Sequence, residues 1–353
     1  MTTVRAPGRV NLIGEHTDYS GGYCLPVAID RECRIHSEAD ESHVVTAHSA
    51  QLAGRVEVSI DDGSPHPDSP PWGTFVAGTV QVLRELGHVL GGAHLEIDST
   101  VPAGSGLSSS SALSIALVLT LLPVDAAERA DRRALASLAL AAEVRATGVP
   151  GGLLDQMASL YGVADHALLL DCRSLSVDPV PLPPDLAILV IHSGVPRDLA
   201  TSEYAQRRAA CEAIAARIGV AMLRDATFEQ VADDPIGRHV VTENARVLEF
   251  AAALQRGDIE ALGPLLVASH VSLRDDFAVS TPELDLLVDS FMEHGAIGAR
   301  LTGAGFGGCV IALAPKPDAD HCLSAAMRSY EIRTRRHPMG FVARSADGAG
   351  PLG

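Results

Sequence analysis

Apolar residues recur along the chain with two spacings, which predict a mixture of helices and strands. Spacings of three and four residues predict helices over 74–86, 109–122, 131–147, 151–162, 202–218, 242–256, 259–274 and 282–294. Short alternating or continuous apolar runs predict strands within 4–35, 93–99, 166–172, 186–194 and on both sides of a glycine loop in 299–314. Residues 54–71, rich in Asp, Gly, Ser and Pro, are predicted to form a surface loop.

The mixed order of these elements, without an internal repeat, predicts an α+β architecture rather than a regular βαβ series. The chain has 353 residues, more than one compact core usually holds, so two lobes are expected. Prolines become dense in "VDPVPLPPD" at 177–185, which indicates a boundary. We therefore predict an N-terminal domain over 1–180 and a C-terminal domain over 181–353, with the active site in the cleft between them.

The charge of the chain excludes several classes of function. The formal net charge is −17, and aromatic residues make up only 4% of the sequence. A nucleic-acid binder or a membrane-surface protein would carry a basic face, and a base-stacking platform would need aromatic side chains. We expect small-molecule partners instead, with no nucleic acid and no membrane, and a monomer or a weak homo-oligomer.

Cysteine usage and the length of the apolar segments indicate a cytoplasmic protein. The six cysteines are scattered without a CxxC pair, which is typical of free thiols in a reducing compartment. The N-terminal residues contain no apolar signal core. The longest apolar stretch, 112–122, is too short to span a bilayer.

The stretch "VPAGSGLSSSSAL" at 101–113 places glycines and four serines directly before an apolar helix. Glycines allow successive backbone N–H groups to point into one concavity, and the helix start adds its own unpaired N–H groups. This combination can bind phosphate without a Walker-type lysine, and Lys316 is the only lysine in the chain. A serine hydroxyl could also bind Mg²⁺. The alternative is an ordinary helix cap after a loop.

The stretch "GRVNLIGEHTDYSGG" at 8–22 concentrates hydrogen-bonding side chains in a loop between apolar strands. Such a density of donors and acceptors fits a ligand with many hydroxyl groups, because each hydroxyl both donates and accepts. Two alternatives are a solvated loop and a metal site, although no further residue at metal-ligand spacing supports the metal.

Three further features are candidates for chemistry. Asp155 follows two glycines in the apolar segment "GGLLDQMASLYG" and could serve as a base, an electrostatic partner or a helix cap. Glu143, twelve residues earlier, could supply a second carboxylate for Mg²⁺ or lie on the surface. "TGAGFGG" at 302–308 is a second glycine loop, which alone indicates only close backbone packing.

Taken together, these stretches resemble the GHMP family of small-molecule kinases. The resemblance rests on "GRVNLIGEHTDYSGG", "PAGSGLSSSSAL" and "LTGAGFGGC", and it extends to "DHALLLDCRSL", "SEYAQRRAACE", "TENARV" and "SHVSLRDDF". It implies a two-lobed fold of mixed sheets with flanking helices. It also implies ATP-dependent phosphorylation of the anomeric hydroxyl of galactose to galactose 1-phosphate, with ATP and Mg²⁺ as cofactors.

The resemblance assigns roles to residues at matching positions. Asp155 matches the catalytic aspartate that accepts the proton of the anomeric hydroxyl, and Arg9 matches the arginine that keeps this aspartate charged. The implied sugar contacts are Glu15, His16, Thr17, Asp18, Gly152 and Tyr204. The implied ATP contacts are Gly104, Ser105, Gly106, Leu107, Ser108, Ser109, Ser110 and, beside the adenine, Trp72. The implied Mg²⁺ ligands are Ser110 and Glu143.

Some positions depart from the pattern of the family, and they leave the choice of sugar open. Ser111 stands where alanine is usual, and Gly151 stands where cysteine is common. His192 and Gly194, in 191–199, replace two asparagines. A kinase for a related sugar, such as N-acetylgalactosamine or arabinose, is therefore one alternative. A sensor that binds galactose and ATP without turnover is another, although the serine loop, Arg9 and Asp155 are all present.

Overall fold

The computed structural model describes residues 2–352 except 124–125, 127–129 and 196–199. Its strands are β1 (Thr2–Asn11), β2 (Tyr23–Cys24), β3 (Pro26–Asp40), β4 (Val44–Ser49), β5 (Arg55–Ser59), β6 (Gly92–Ser99), β7 (His166–Asp171), β8 (Ser176–Pro181), β9 (Leu186–His192), β10 (Gly298–Thr302), β11 (Cys309–Pro315), β12 (Met339–Ala343) and β13 (Gly350–Leu352). Its α-helices are α1 (Gly73–Glu85), α2 (Ser109–Leu121), α3 (Arg132–Thr147), α4 (Leu154–Tyr161), α5 (Ala200–Ile218), α6 (Phe228–Val231), α7 (Pro235–Arg256), α8 (Ile259–Asp275), α9 (Pro282–Glu293) and α10 (Ala319–Thr334).

A six-stranded sheet in the order β13–β1–β3–β6–β4–β5 forms the first layer. Its neighbouring strands are antiparallel except β4 and β6, which are parallel. In the second half of β3, Cys33 and Ile35 are buried while Arg34 and His36 are exposed. This alternation places one face of the sheet against α2 and leaves the other in water. The sheet therefore fixes β1 and the start of α2 relative to each other.

A four-stranded antiparallel sheet in the order β10–β11–β9–β12 forms a second layer. Helices α9 and α10 pack on it, and α8 packs on β10. Leu189 and Ile191 of β9 belong to one buried cluster, whereas Ile188 and Val190 belong to another. Both faces of β9 are therefore buried, which explains its continuous apolar run. A three-stranded sheet, β2–β7–β8, completes the described sheets.

The predicted α+β class is confirmed, and six predicted helices (α1, α2, α3, α5, α8 and α9) begin and end within two residues of the observed bounds. The predicted start of α7 was wrong: the helix begins at Pro235, with the Asp234 side chain accepting a bond from Gly237 N. An aspartate cap followed by proline is a usual helix start, because proline lacks only an N–H group that would be unpaired there.

Two strands lie where the sequence predicts a loop or a boundary. The stretch 54–71 contains β5, in which Val56 and Val58 are buried against the core. The first part of the proline-rich stretch 177–185 belongs to β8, which pairs with β7 alone among the described strands. An edge strand tolerates proline because one of its sides needs no ladder hydrogen bonds.

The last strand returns to the first sheet, where β13 pairs with β1. The predicted division into 1–180 and 181–353 stays a prediction. Part of the stretch 191–199 that departs from the family pattern lies outside the described residues. Within the described ranges, no helix is long and apolar enough to cross a bilayer.

Candidate active site

A cavity of about 540 Å³ lies between the loop after β1, the loop before α2 and the start of α4. It is lined by Arg9, Glu15, His16, Asp18, Gly104, Gly106, Ser108, Ser109, Ser110, Ser111, Leu140, Glu143, Thr147, Val149, Pro150, Gly151, Gly152, Leu154, Asp155, Gln156, Tyr204, Gly303 and Ala304. The structure thus brings together the predicted site residues, with four exceptions: Thr17, Trp72, Ser105 and Leu107.

Asp155 and Arg9 form an ion pair inside this cavity. Asp155 lies in the first turn of α4, and Arg9 lies near the end of β1. The Arg9 Nη2 and Nε atoms lie 2.7 and 2.8 Å from Asp155 Oδ1. Burial lowers the pKa of the Arg9 guanidinium, but the negative charges of Asp155 and Glu15 outweigh this and raise the pKa. A permanent positive charge therefore stands beside the Asp155 carboxylate.

Ser108 holds the other oxygen of the same carboxylate. Its hydroxyl donates to Asp155 Oδ2 at 2.6 Å. Ser108 occupies the N-cap position of α2 with a φ of 62°, and its side chain makes no cap hydrogen bond. The first-turn N–H groups of α2 therefore stay available to an anion at the cavity. The Ser108 side chain is thus not a helix cap, and phosphate binding by this loop stays a prediction.

The loop before α2 packs closely on β1. A Cβ built on Gly8 would lie 2.7 Å from the Leu107 carbonyl oxygen, so glycine is needed for the approach. Arg9 N donates to Leu107 O at 3.1 Å, and Arg9 Nη1 donates to Gly106 O at 2.6 Å. Gly104 and Gly106 have φ values of 68° and 83°, which glycine adopts without strain. The same arginine thus binds both the loop and Asp155.

Glu143 of α3 faces the first turn of α2. Its Oε1 accepts from Ser110 Oγ at 2.6 Å, and its Oε2 accepts from Ser111 Oγ at 2.8 Å and from Gln156 Nε2 at 2.7 Å. Burial raises the pKa of the Glu143 carboxyl, although its hydrogen bonds to Ser110 and Ser111 act in the opposite direction.

Hard oxygen donors of this kind fit Mg²⁺, which usually takes one or two protein ligands together with phosphate oxygens and water. Ser110 and Glu143 supply one hydroxyl and one carboxylate at the cavity wall. Within the described ranges, no cluster of three or more His, Cys, Asp or Glu side chains could hold a metal by itself. The donor set therefore fits a cation that arrives with a nucleotide.

Asp18 and Gly152 contact each other in the cavity lining. A Cβ built on Gly152 would lie 2.0 Å from Asp18 Oδ2, so only glycine leaves room for this carboxylate. Burial, followed by the neighbouring charge of Asp155, raises the pKa of Asp18 to about 6. Glu15, Asp18 and Asp155 thus place three carboxylates around one arginine.

Glu15 joins the loop after β1 to the second glycine loop. Its Oε1 accepts from Gly303 N at 2.7 Å and from Thr302 Oγ1 at 3.0 Å. Gly303 in turn approaches the loop before α2, because a Cβ on Gly303 would lie 3.1 Å from Gly106 O. The two glycine loops and the loop after β1 therefore form one connected wall.

An aromatic group completes the cavity. His16 Nδ1 lies 2.8 Å from the Tyr19 hydroxyl, and its Nε2 lies 3.1 Å from Ala304 O. The Tyr204 ring lies 5.7 Å from His16 and 5.5 Å from Tyr19, measured between centroids. Burial raises the pKa of Tyr204 well above its ordinary value, so the hydroxyl is neutral and can donate a hydrogen bond.

The four exceptions do not line the cavity. The Thr17 hydroxyl donates to Tyr23 O at 2.7 Å and to Gly14 O at 2.9 Å, which folds the loop after β1 onto itself. Ser105 donates to Pro102 O at 2.7 Å, and Leu107 is buried in the core. Trp72 precedes α1, and its Nε1 donates to Ala53 O at 3.2 Å.

The sequence analysis missed the buried hydrogen bonds that hold the loop after β1 in place. Glu243 of α7 is fully buried and accepts from Gly14 N at 3.0 Å and from Ser269 Oγ at 2.5 Å. Burial would raise the pKa of Glu243, but nearby charges, above all Arg246, lower it to about 2. A signal was present, because Glu243 lies on the apolar stripe between Val240 and Val247.

The chain is similar to known proteins over nearly its whole length. The galactokinase galactose-binding signature matches residues 2–36, the GHMP kinase N-terminal domain matches 74–163, and the GHMP kinase C-terminal domain matches 250–332. A galactokinase of Mycobacterium bovis is 44% identical over 98% of this chain and 97% of its own. A galactokinase of Roseiflexus sp. is 42% identical over 98% of this chain and 92% of its own.

Solved structures agree on the fold. Lactococcus lactis galactokinase, complexed with galactose, superposes with a TM-score of 0.91 at 31% identity, over 99% of this chain and 95% of that one. Mevalonate kinase of Methanococcus jannaschii has a TM-score of 0.68 at 19% identity over 98% of both chains, which shows the common fold alone. The predicted resemblance is confirmed: the chain belongs to the galactokinase family of GHMP kinases and is an enzyme of the kind that uses ATP.

Proposed function

We propose that this chain transfers the γ-phosphoryl group of ATP to the anomeric hydroxyl of D-galactose, giving galactose 1-phosphate and ADP. The observation that carries the proposal is the Asp155 carboxylate, which Arg9 and Ser108 hold from opposite oxygens. It lies between the loop with sugar-binding composition and the helix start that fits phosphate. A sugar hydroxyl and a nucleotide phosphate would meet at this point.

Asp155 accepts the proton of the anomeric hydroxyl while the sugar oxygen bonds to the γ-phosphorus and ADP leaves. Positioning and charge neutralisation dominate in phosphoryl transfer, and a base adds about 10²–10⁴-fold. Arg9 is suited to both tasks, because its charge lies 2.7 Å from Asp155 and its other nitrogen binds the loop at Gly106 O. Its positive charge thus holds the carboxylate in place and favours negative charge on the transferred group.

The loop 104–110 and the first turn of α2 bind the phosphates of ATP through backbone N–H groups and the Ser109 and Ser110 hydroxyls. Ser105 and Leu107 shape the loop from inside, and Trp72 lies beside the adenine. Ser110 and Glu143 would hold Mg²⁺, which would neutralise phosphate charge.

Galactose hydroxyls bind to the side chains of Glu15, His16, Asp18 and Tyr204. Gly152 gives Asp18 the space to face the sugar. Thr17 acts indirectly: its hydroxyl bonds to the backbone of its own loop and so orders the neighbouring side chains. The lobes 1–180 and 181–353 enclose the site, and the protein works in the cytoplasm as a monomer or a weak homo-oligomer.

The test is ADP release with Mg·ATP and a panel of galactose, glucose, talose, N-acetylgalactosamine and arabinose. Turnover on galactose should fall by about 10²–10⁴-fold in Asp155→Ala and steeply in Arg9→Ala, but not in the exposed control Asp178→Asn. Preference for another sugar would keep the mechanism and change the substrate. Galactose binding by calorimetry without turnover on any sugar would refute the kinase and support the sensor.

A further inference from the structure

Two thiols lie side by side beneath the loop after β1. Cys24 of β2 pairs with Leu170 of β7 across the third sheet, and Cys172 lies two residues beyond Leu170. Cys172 follows the last residue of β7, and its side chain lies against that of Cys24. Their Sγ atoms are 3.7 Å apart.

Cys24 helps to hold the loop after β1 in place. Its Sγ donates to Gly14 O at 3.2 Å and lies 3.3 Å from Thr17 Oγ1. Thr17 stands between His16 and Asp18, which both line the cavity. The backbone of Cys172 contacts the same loop, because its N–H donates to Gly22 O at 2.9 Å. A covalent bond between the two sulfurs would therefore act on both ends of the loop, whereas the backbone contact of Cys172 does not depend on its side chain.

The two thiols differ in access. Cys24 is completely buried, whereas Cys172 is partly exposed at the rim of the core. Burial raises the pKa of the Cys24 thiol well above its ordinary value, so Cys24 alone is unreactive. An oxidant from solvent reaches Cys172 first. Cys24 is then the thiol close enough to react with the oxidised Cys172 and form a disulfide.

We propose, building on the galactose site of the proposed function, that Cys24 and Cys172 form an oxidisable dithiol at which a peroxide closes a disulfide and weakens sugar binding. The Cys172 sulfur attacks the peroxide O–O bond and becomes a sulfenic acid, and one water leaves. The Cys24 sulfur then displaces the sulfenic hydroxyl as a second water. In total, two thiols lose two electrons and two protons, and hydrogen peroxide is reduced to two waters.

Closing the bond changes the loop in two ways. The Sγ atoms must approach from 3.7 Å to about 2.05 Å, which draws Cys24 away from Gly14 and Thr17. The Cys24 sulfur also loses the proton that it donates to Gly14 O. The loop then holds His16 and Asp18 less firmly, while the ion pair between Arg9 and Asp155 stays on other elements.

The test treats the reduced full chain with hydrogen peroxide and analyses it by mass spectrometry and by galactose-binding calorimetry. We expect a loss of two hydrogens, a peptide cross-linked between Cys24 and Cys172, and galactose affinity weakened by about tenfold, all reversed by dithiothreitol. Cys172→Ser should bind galactose like the wild type before treatment and should be insensitive to peroxide. Cys322→Ser, a buried thiol in α10, should remain sensitive.

Mass spectrometry detects the cross-link and calorimetry measures the galactose affinity, so the test does not depend on kinase turnover. Oxidation of Cys172 to sulfinic acid without a cross-link would overturn the proposal. A cross-link that leaves galactose affinity unchanged would also overturn it, since the loop would then not respond.

Discussion

The Asp18 carboxylate occupies the space that a side chain at Gly152 would need: a β-carbon on Gly152 would lie 2.0 Å from Asp18 Oδ2. A side chain at residue 152 would force the Asp18 carboxylate out of the position that it occupies in the cavity. Gly152 lies just before α4, whose first turn bears Asp155. Asp18 lies in the loop that supplies Glu15 and His16, so this contact connects the two segments. The shape of the proposed sugar site therefore depends on a residue that has no side chain.

The first prediction concerns this contact. Gly152→Ala should displace Asp18 and weaken galactose binding by about ten- to a hundredfold, the usual cost of losing a charged hydrogen bond. The measurement is galactose calorimetry. Gly151→Ala is the matched control, because its Cβ would meet only Leu140 Cδ1, at an ordinary 3.4 Å. Equal effects of the two substitutions would contradict the prediction.

The second prediction concerns the pH dependence of galactose binding. The Asp18 pKa is raised to about 6, so the group is charged above that pH and neutral below it. If the charged form binds the sugar, affinity should fall by about tenfold per unit as pH drops below 6. In Asp155→Asn the midpoint should move to lower pH, because a neighbouring negative charge is removed. An unchanged midpoint would show that Asp155 does not act on Asp18.

The third prediction concerns the stability of the same group. An acid whose folded pKa lies above its ordinary value of 3.8 is destabilised in its charged form, so it lowers folding stability as pH rises through about 6. Asp18→Asn should therefore raise the Tm at pH 7 while it weakens galactose binding. At pH 4 the gain in Tm should be much smaller. A loss of Tm at pH 7 would mean that the carboxylate stabilises the loop.

The fourth prediction concerns Ser108. Ser108→Ala removes the hydroxyl that donates to Asp155 Oδ2, so of these two partners of the carboxylate only Arg9 remains. We expect kcat to fall by about ten- to a hundredfold while galactose affinity changes by less than about twofold. Ser114→Ala, in the same helix, is the control, because its hydroxyl has no hydrogen-bond partner among the described residues. Loss of galactose affinity in Ser108→Ala would instead indicate a collapsed site.

The fifth prediction concerns the buried support of the loop. Glu243→Gln should destabilise the protein by about 3–5 kcal/mol in urea unfolding, since it leaves Arg246 without its charged partner. The Glu243 pKa is about 2 in the folded state against an ordinary 4.5, so its contribution is complete above pH 4.5 and is lost as pH falls towards 2. The difference between wild type and variant should narrow over that range. Glu249→Gln, exposed on the same helix, should change stability little.

The sequence by itself determined the local elements and the types of chemistry. Periodicity located most helices, because an amphipathic segment shows which face it buries. The glycine and serine pattern before α2 indicated a phosphate loop, since glycine conformation and helix N–H groups are local properties. Asp155, Arg9 and Asp18 were all identified as site residues from their motifs.

Only the tertiary structure decided which of these residues meet. Asp155 and Arg9 are 146 positions apart in the chain, yet they form one ion pair because β1 and α4 pack together. The Thr17 hydroxyl turned to its own backbone, although its motif indicated a sugar contact. Glu243 lies far from every motif assigned a site role, and burial makes it the support of Gly14. Contacts between distant segments depend on how whole elements pack, which no local pattern encodes.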